Sequence, residues 1–215
     1  MILKVLKIET WIGDATNCYI VQDEKSKETM VIDPAGDVDK IIEMLDILQA
    51  KLKYIYLTHC HGDHIGGVCE LKEKYGGKIV THRVAAENLK DPNINLTIYI
   101  GIGGLTVETD ARVDDNDLLH LGELEFRVIH TPGHTSGGSC LYCEQENLLF
   151  SGDTLFRGTW GRTDLPTSNF EELMDSITNK LMKLPGETIC YPGHGKTTMI
   201  EDEKSIYLEL KEKEF

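Results

Sequence analysis

The sequence predicts a layered α/β fold, with sheets inside and helices outside. Three observations carry this. Strand-like and helix-like segments alternate along all 215 residues. They gather into two sheet-rich regions, each accompanied by helices. No linker, low-complexity tract or repeat divides the chain, so residues 1–215 are expected to form one domain with a sizeable core.

Taken in order, residues 2–8, 17–22 and 29–33 read as strands, and Asp33-Pro34-Ala35-Gly36 as a turn. Residues 38–50 place Val38, Ile41, Ile42, Leu45 and Leu48 on one helical face. A strand at 53–58, a helix at 65–75 and a strand at 78–81 follow. A short helix at 83–89 leads into a loop-rich stretch to about residue 105, with Asp91-Pro92-Asn93 and Gly101-Ile102-Gly103-Gly104. Strands are predicted at 118–121, 124–130, 138–143 and 147–151, with a turn at Leu121-Gly122-Glu123. Ser168-Asn169-Phe170-Glu171 reads as a capping box that starts a helix to about residue 183, with Phe170, Leu173, Met174, Ile177 and Leu181 inward. A strand at 188–191 precedes Pro192-Gly193-His194-Gly195. Thr198-Met199-Ile200-Glu201 then caps a final helix, and its charged stretch from Glu201 to Glu214 reads as a solvated face.

The balance of 22 basic against 36 acidic side chains gives a net charge of −14. An acidic surface repels phosphate backbones, so no nucleic-acid partner is expected. No apolar stretch reaches the ~20 residues that a membrane helix needs. The N-terminal residues lack the apolar core and cleavage site of a signal peptide, so a cytoplasmic location is expected. The six cysteines are spread through a chain that needs no disulfide staples and read as small core or near-core residues. Cys140 and Cys143 stand three apart in a strand and should face opposite sides.

The chemistry concentrates where strands end. Tyr54-Ile55-Tyr56-Leu57 runs into Thr58-His59-Cys60-His61-Gly62-Asp63-His64. Three later apolar runs end in a glycine followed at once by a metal-binding side chain: Gly133-His134, Gly152-Asp153 and Gly193-His194. If these four strand ends share one edge, seven ligands converge: His59, His61, Asp63, His64, His134, Asp153 and His194. Seven exceed what one tetrahedral ion takes, which suits two ions with a bridging carboxylate. His59 and His61 stand two apart in an extended segment and point the same way, Cys60 points the other way, and Gly62 allows a turn that redirects Asp63 and His64. His82, His120 and His130 read as ordinary hydrogen-bonding residues, with a supporting role behind the ligands open for His130.

On these motifs the chain resembles the metallo-β-lactamase superfamily, and its Thr131-Pro132-Gly133-His134 and Gly161-Arg162-Thr163-Asp164 segments resemble the short, single-domain glyoxalase II-like hydrolases. The resemblance implies a four-layer αββα sandwich. It assigns His59, His61 and His134 to one ion, Asp63, His64 and His194 to the other, and Asp153 to both. It implies two divalent ions, zinc foremost, with iron or manganese also accommodated. The implied activity is hydrolysis of a small-molecule thioester by a hydroxide that the ions activate, with Asp63 and Asp153 as catalytic groups. This chain ends 21 residues after His194, short of the added helical region that helps glyoxalase II hold glutathione, so the thiol carrier stays open. Arg157 and Arg162 either meet an anionic substrate or pair with carboxylates such as Asp164. Similar alternatives on the same fold are a persulfide dioxygenase, with one iron on His59, His134 and Asp153, and a lactonase. Tyr99 and the glycines at 101–104 belong either to a lid or to a plain surface loop. The oligomeric state is not specified.

Overall fold

A computed structural model describes residues 1–9 and 15–212, and the side chains of 1–9 and 15–207. The first sheet joins β1 (Ile2–Glu9), β2 (Ala15–Gln22), β3 (Glu28–Ile32), β4 (Lys51–Leu57), β5 (Lys78–His82) and β6 (Ala111–Val113) in that order. β1–β2–β3 are antiparallel, whereas β3 through β6 run parallel. α1 (Val38–Ile47), α3 (Val68–Tyr75) and α4 (Arg83–Asn88) form the parallel crossovers, with the one-turn α2 (Gly62–Ile65) between β4 and α3. The second sheet has the order β14 (Thr198–Met199), β13 (Ile189–Pro192), β10 (Leu148–Gly152), β9 (Ser139–Cys143), β8 (Leu124–His130) and β7 (Leu118–Leu121). A separate hairpin pairs β11 (Leu155–Phe156) with β12 (Thr159–Trp160). α5 (Phe170–Asp175) continues through a π turn at Ser176–Lys180 and a 3₁₀ turn at Leu181–Lys183, and α6 (Ile200–Glu212) ends the described chain.

The period-two pattern of the strands builds three apolar layers. Tyr19, Val21, Met30, Ile32 and Tyr56 face Phe126, Val128, Leu141, Cys143 and Phe150 between the sheets. Their neighbours Ile20, Val31, Ile55 and Leu57 face outward onto Val38, Ile41 and Leu45 of α1 and Val68 and Leu71 of α3. On the second sheet, Cys140, Tyr142, Leu149 and Cys190 face Leu173, Ile177 and Leu181, with Ile200 and Tyr207 of α6. The architecture is therefore αββα, as the resemblance implied. Cys140 and Cys143 lie in different layers, on opposite faces of β9.

Several local expectations are corrected. The helix expected at 65–75 is two helices, broken at Gly66-Gly67, and the first begins at Gly62. Asn169, not Ser168, caps α5: its side chain accepts from Glu172 N at 3.1 Å, while Ser168 Oγ closes a turn with Leu165. Phe170 is exposed at the first position of the helix, with its ring beside Trp160 at 6.1 Å. Thr198 and Met199 form β14 instead of capping a helix, because they pair with Cys190 and Ile189. The expected solvated face from Glu201 onward is amphipathic, with Glu203 and Tyr207 buried; Lys213, Glu214 and Phe215 lie outside the described residues. Cys69 is exposed on α3, while the other five cysteines are buried and all six are free. β6, β11 and β12 were not expected, since two or three residues carry no readable alternation. Among the described residues no helix is long and apolar enough to cross a membrane.

Candidate metal centre

The four strand ends do share one edge. His59 and His61 follow β4, His134 follows β8, Asp153 follows β10, and His194 follows β13. Asp63 and His64 sit on α2. The glycines before these side chains serve two ends. Gly152 has φ 50°, a left-handed turn that lets Asp153 double back. Gly193 has an ordinary φ, but a Cβ there would lie 2.2 Å from Asp153 Oδ1, so glycine provides space for the carboxylate. Gly62 likewise has no positive φ; a Cβ there would meet Ile100 Cδ1 at 2.5 Å. That contact places the loop carrying Tyr99, itself exposed, beside the His61–Asp63 turn.

The predicted residues fall into the two expected groups, His59–His61–His134 and Asp63–His64–His194, each with donor atoms within 4.8 Å of one another. Asp153 stands between them. Its Oδ1 is 3.3 Å from His64 Nε2, and its Oδ2 is 3.6 Å from His134 Nε2 and 3.5 Å from His194 Nε2. Asp63 Oδ2 is 3.3 Å from His194 Nε2. His61 Nδ1 is 3.0 Å from His134 Nε2, and the His59 and His61 rings lie 4.8 Å apart on one side of the chain. Cys60 points the other way, into the core beneath the first sheet.

Four of the five imidazoles are oriented from behind through Nδ1. His64 Nδ1 is 2.9 Å from Asp33 Oδ2. His59 Nδ1 is 3.1 Å from Thr58 Oγ1, which itself donates to Asp33 Oδ2. His134 Nδ1 is 2.8 Å from the Arg162 carbonyl, and His194 Nδ1 is 3.1 Å from the Ala15 carbonyl. Such partners fix the tautomer and aim Nε2 inward, the arrangement of metal-bound histidines. Asp33, Thr58 and these two carbonyls were not anticipated as site groups. Asp33 was detectable in principle, because Val31-Ile32-Asp33 is a fifth apolar run ending in a carboxylate.

The donor set fits divalent ions. His59 Nε2, His61 Nε2 and Asp153 Oδ1 are buried without a hydrogen-bond partner, a costly state that coordination relieves. Burial holds His59 well below the usual imidazole range, and burial with His134 nearby takes His61 down to about 3, so both remain neutral ligands. Burial opposes ionisation of Asp153, but His64 and His194 overcome it and hold the carboxyl well below its usual range. Burial likewise opposes charge on His64, but Asp153, Asp63 and Asp33 hold it well above.

Of the remaining residues, Arg162 pairs with Asp164 through two bonds of 2.6 and 2.7 Å, the ion-pair reading of this arginine. Arg157 is exposed and makes no ion pair among the described residues. His130 stacks on His82 at 3.9 Å and reaches the Ser136 carbonyl at 3.0 Å, outside both donor groups. His82 accepts from Val84 N at the start of α4, and His120 is exposed beside Glu125.

An αββα frame with a three-histidine group and a histidine–carboxylate group adjoining at one sheet edge, Asp153 between them, defines a metallo-hydrolase-type scaffold. The chain belongs to the metallo-β-lactamase superfamily, whose family model matches residues 11–194. It is 32% identical over 190 residues to the hydroxyacylglutathione hydrolase GloC of Haemophilus influenzae, covering 87% of this chain and 89% of that one. The crystal structure of the BLEG-1 B3 metallo-β-lactamase superposes with TM-score 0.87 at 33% identity, over 95% of this chain and 97% of that one. A di-iron-bound form of TTHA1623 superposes with TM-score 0.79 at 28% identity, over 93% of this chain and 96% of that one.

Proposed function

We propose that this chain is a dinuclear metal-dependent hydrolase of small acyl-thiols. The observation that carries the reading is the pair of three-residue donor groups with Asp153 in contact with both. His59, His61 and His134 would hold one ion, Asp63, His64 and His194 the other, with Asp153 shared. Two ions held there would lower the pKa of a bound water towards neutrality and would provide positive charge near the acyl oxygen.

The chain's own groups do the rest. Asp63 and Asp153, held ionised, would orient the attacking water. The backing bonds from Asp33, Thr58, Arg162 and Ala15 keep the imidazoles fixed, so little reorganisation accompanies reaction. A thiol has a pKa of about 8.5 and leaves as thiolate, so no strong general acid is required. The likeness to a hydroxyacylglutathione hydrolase supports a thioester. Arg157, without an ion pair among the described residues, is a candidate cation for an anionic substrate, whereas Arg162 is committed to Asp164.

The donor set takes zinc, iron or manganese. Zinc is the first choice, and the di-iron neighbour supports iron as the second. The six free cysteines fit a reducing, cytoplasmic compartment.

The test is metal content per chain together with turnover of S-lactoylglutathione and other acyl-thiols. Two ions per chain and thioester cleavage, lost in His61→Ala and Asp153→Ala, are expected. One iron per chain with oxygen uptake on a glutathione persulfide would replace this reading with the dioxygenase. Lactone cleavage without thioester cleavage would replace it with the lactonase.

A further inference from the structure

Glu203 is a charged residue in a helix that reads from sequence as solvent-facing, yet it is only 2% exposed. Gly158 N donates to its carboxylate, at 3.0 Å from each oxygen, and Thr198 Oγ1 donates to Oε1 at 2.6 Å. Burying a carboxylate is costly unless donors surround it, and here α6 spends that cost on the turn of the β11–β12 hairpin. Tyr207, one turn further along α6, donates from its hydroxyl to the Thr159 carbonyl at 3.0 Å and packs on Trp160 at 6.0 Å.

The far side of the hairpin meets the candidate centre at three points. The Phe156 ring stands edge-on to His194 at 6.1 Å. Gly161 lies so close to Asp153 that a Cβ would fall 1.9 Å from its carbonyl oxygen and 3.1 Å from His134 Cγ. The Arg162 carbonyl accepts from His134 Nδ1. A continuous chain of contacts therefore runs from Glu203 through Gly158 and the hairpin to the His134 imidazole.

We propose that Glu203 is a positioning residue: by clamping the Gly158 turn it sets the Arg162 carbonyl that aims His134. The inference rests on the metal reading of the centre, and its test separates the two. Amide hydrogen exchange of the metal-free protein reports the clamp alone, and zinc titration reports its effect on the centre.

Glu203→Ala is expected to speed exchange across residues 155–162 and to weaken one of the two zinc sites roughly tenfold. Glu203→Gln should restore both, because its amide oxygen accepts from Gly158 and its amide nitrogen donates to Thr198. Glu203→Asp keeps the charge but withdraws it by one methylene, and it replaces the alanine variant if that chain fails to fold. Leu45→Ala, in the core beneath the first sheet, should lower Tm without moving either readout. Unchanged hairpin exchange in both Glu203→Ala and Glu203→Asp overturns the clamp, and faster exchange with unchanged zinc affinity overturns its link to His134. A wild-type chain that takes up no zinc, iron or manganese overturns the metal reading itself.

Discussion

Asp33 Oδ2 lies 2.9 Å from His64 Nδ1, with both side chains closed off from solvent. The same carboxylate accepts from the Thr58 amide at 2.8 Å and from the Thr58 hydroxyl at 2.7 Å. One side chain thus braces the strand end that carries His59 and the ring of His64. Asp33 holds this position with φ 52°, uncommon for a residue with a side chain and found where a site demands it.

Replacing Asp33 by alanine leaves His64 Nδ1 and two Thr58 donors buried without an acceptor. The expected loss is about 3–5 kcal/mol of stability, with zinc affinity falling roughly 10–100-fold. Chemical denaturation and metal titration measure the two separately. A stable variant with wild-type zinc affinity would show that Asp33 is dispensable.

Gly161→Ala should be far more damaging than its size suggests. Its Cβ would sit 1.9 Å from the Asp153 carbonyl, a backbone atom that cannot swing away. Loss of at least about 3 kcal/mol and of bound metal is expected. Gly101→Ala is the contrast: φ is +84° but nothing lies within 4 Å, so only the backbone penalty of about 1–2 kcal/mol applies. Equal urea midpoints for the two variants would contradict the close approach.

Chelation should lower Tm. An ion present at 100 times its Kd stabilises the folded chain by about 2.7 kcal/mol, which at about 2–4 °C per kcal/mol for a domain of this size gives roughly 5–10 °C. Calorimetry before and after chelation, with zinc added back, checks this. A Tm indifferent to both steps would count against any ion in the centre.

Thiol labelling should find one fast cysteine among six. Burial pushes Cys60 and Cys190 up to about 12 and Cys140 up to about 11, whereas Cys69 is exposed on α3. At pH 8 one equivalent of an alkylating reagent should react, at Cys69, and the other five only on unfolding. Peptide mapping identifies the labelled site.

The architecture and the seven candidate ligands were legible because both rest on short-range pattern. Alternation in strands such as Tyr19–Val21 and Leu141–Cys143 fixes which side chains face which layer. A strand that ends in Gly-His or Gly-Asp delivers its ligand wherever the sheet edge lies. The errors came where local pattern competes with tertiary contact. Thr198-Met199 has the letters of a helix cap but pairs with β13, and Glu203 has the letters of a solvated face but is drawn inward by Gly158 and Thr198. Cys69 was expected to be buried, as its residue type usually is, but it stands one position past the buried Val68 on a helix whose inward stripe is narrow, and it is exposed.

The sequence by itself determined the layered fold, the donor types and the strand ends that present them, because each depends on neighbours within a few residues. Only the tertiary structure decided how the donors are held. Asp33 meets His64 from 31 residues away, the Arg162 carbonyl meets His134 from 28, and Glu203 meets Gly158 from 45. Those bonds join elements whose separation along the chain carries no periodic signal. They exist because the packed sheets, the β11–β12 hairpin and the helices bring these atoms within hydrogen-bonding distance, where an unpaired buried group would be too costly to keep.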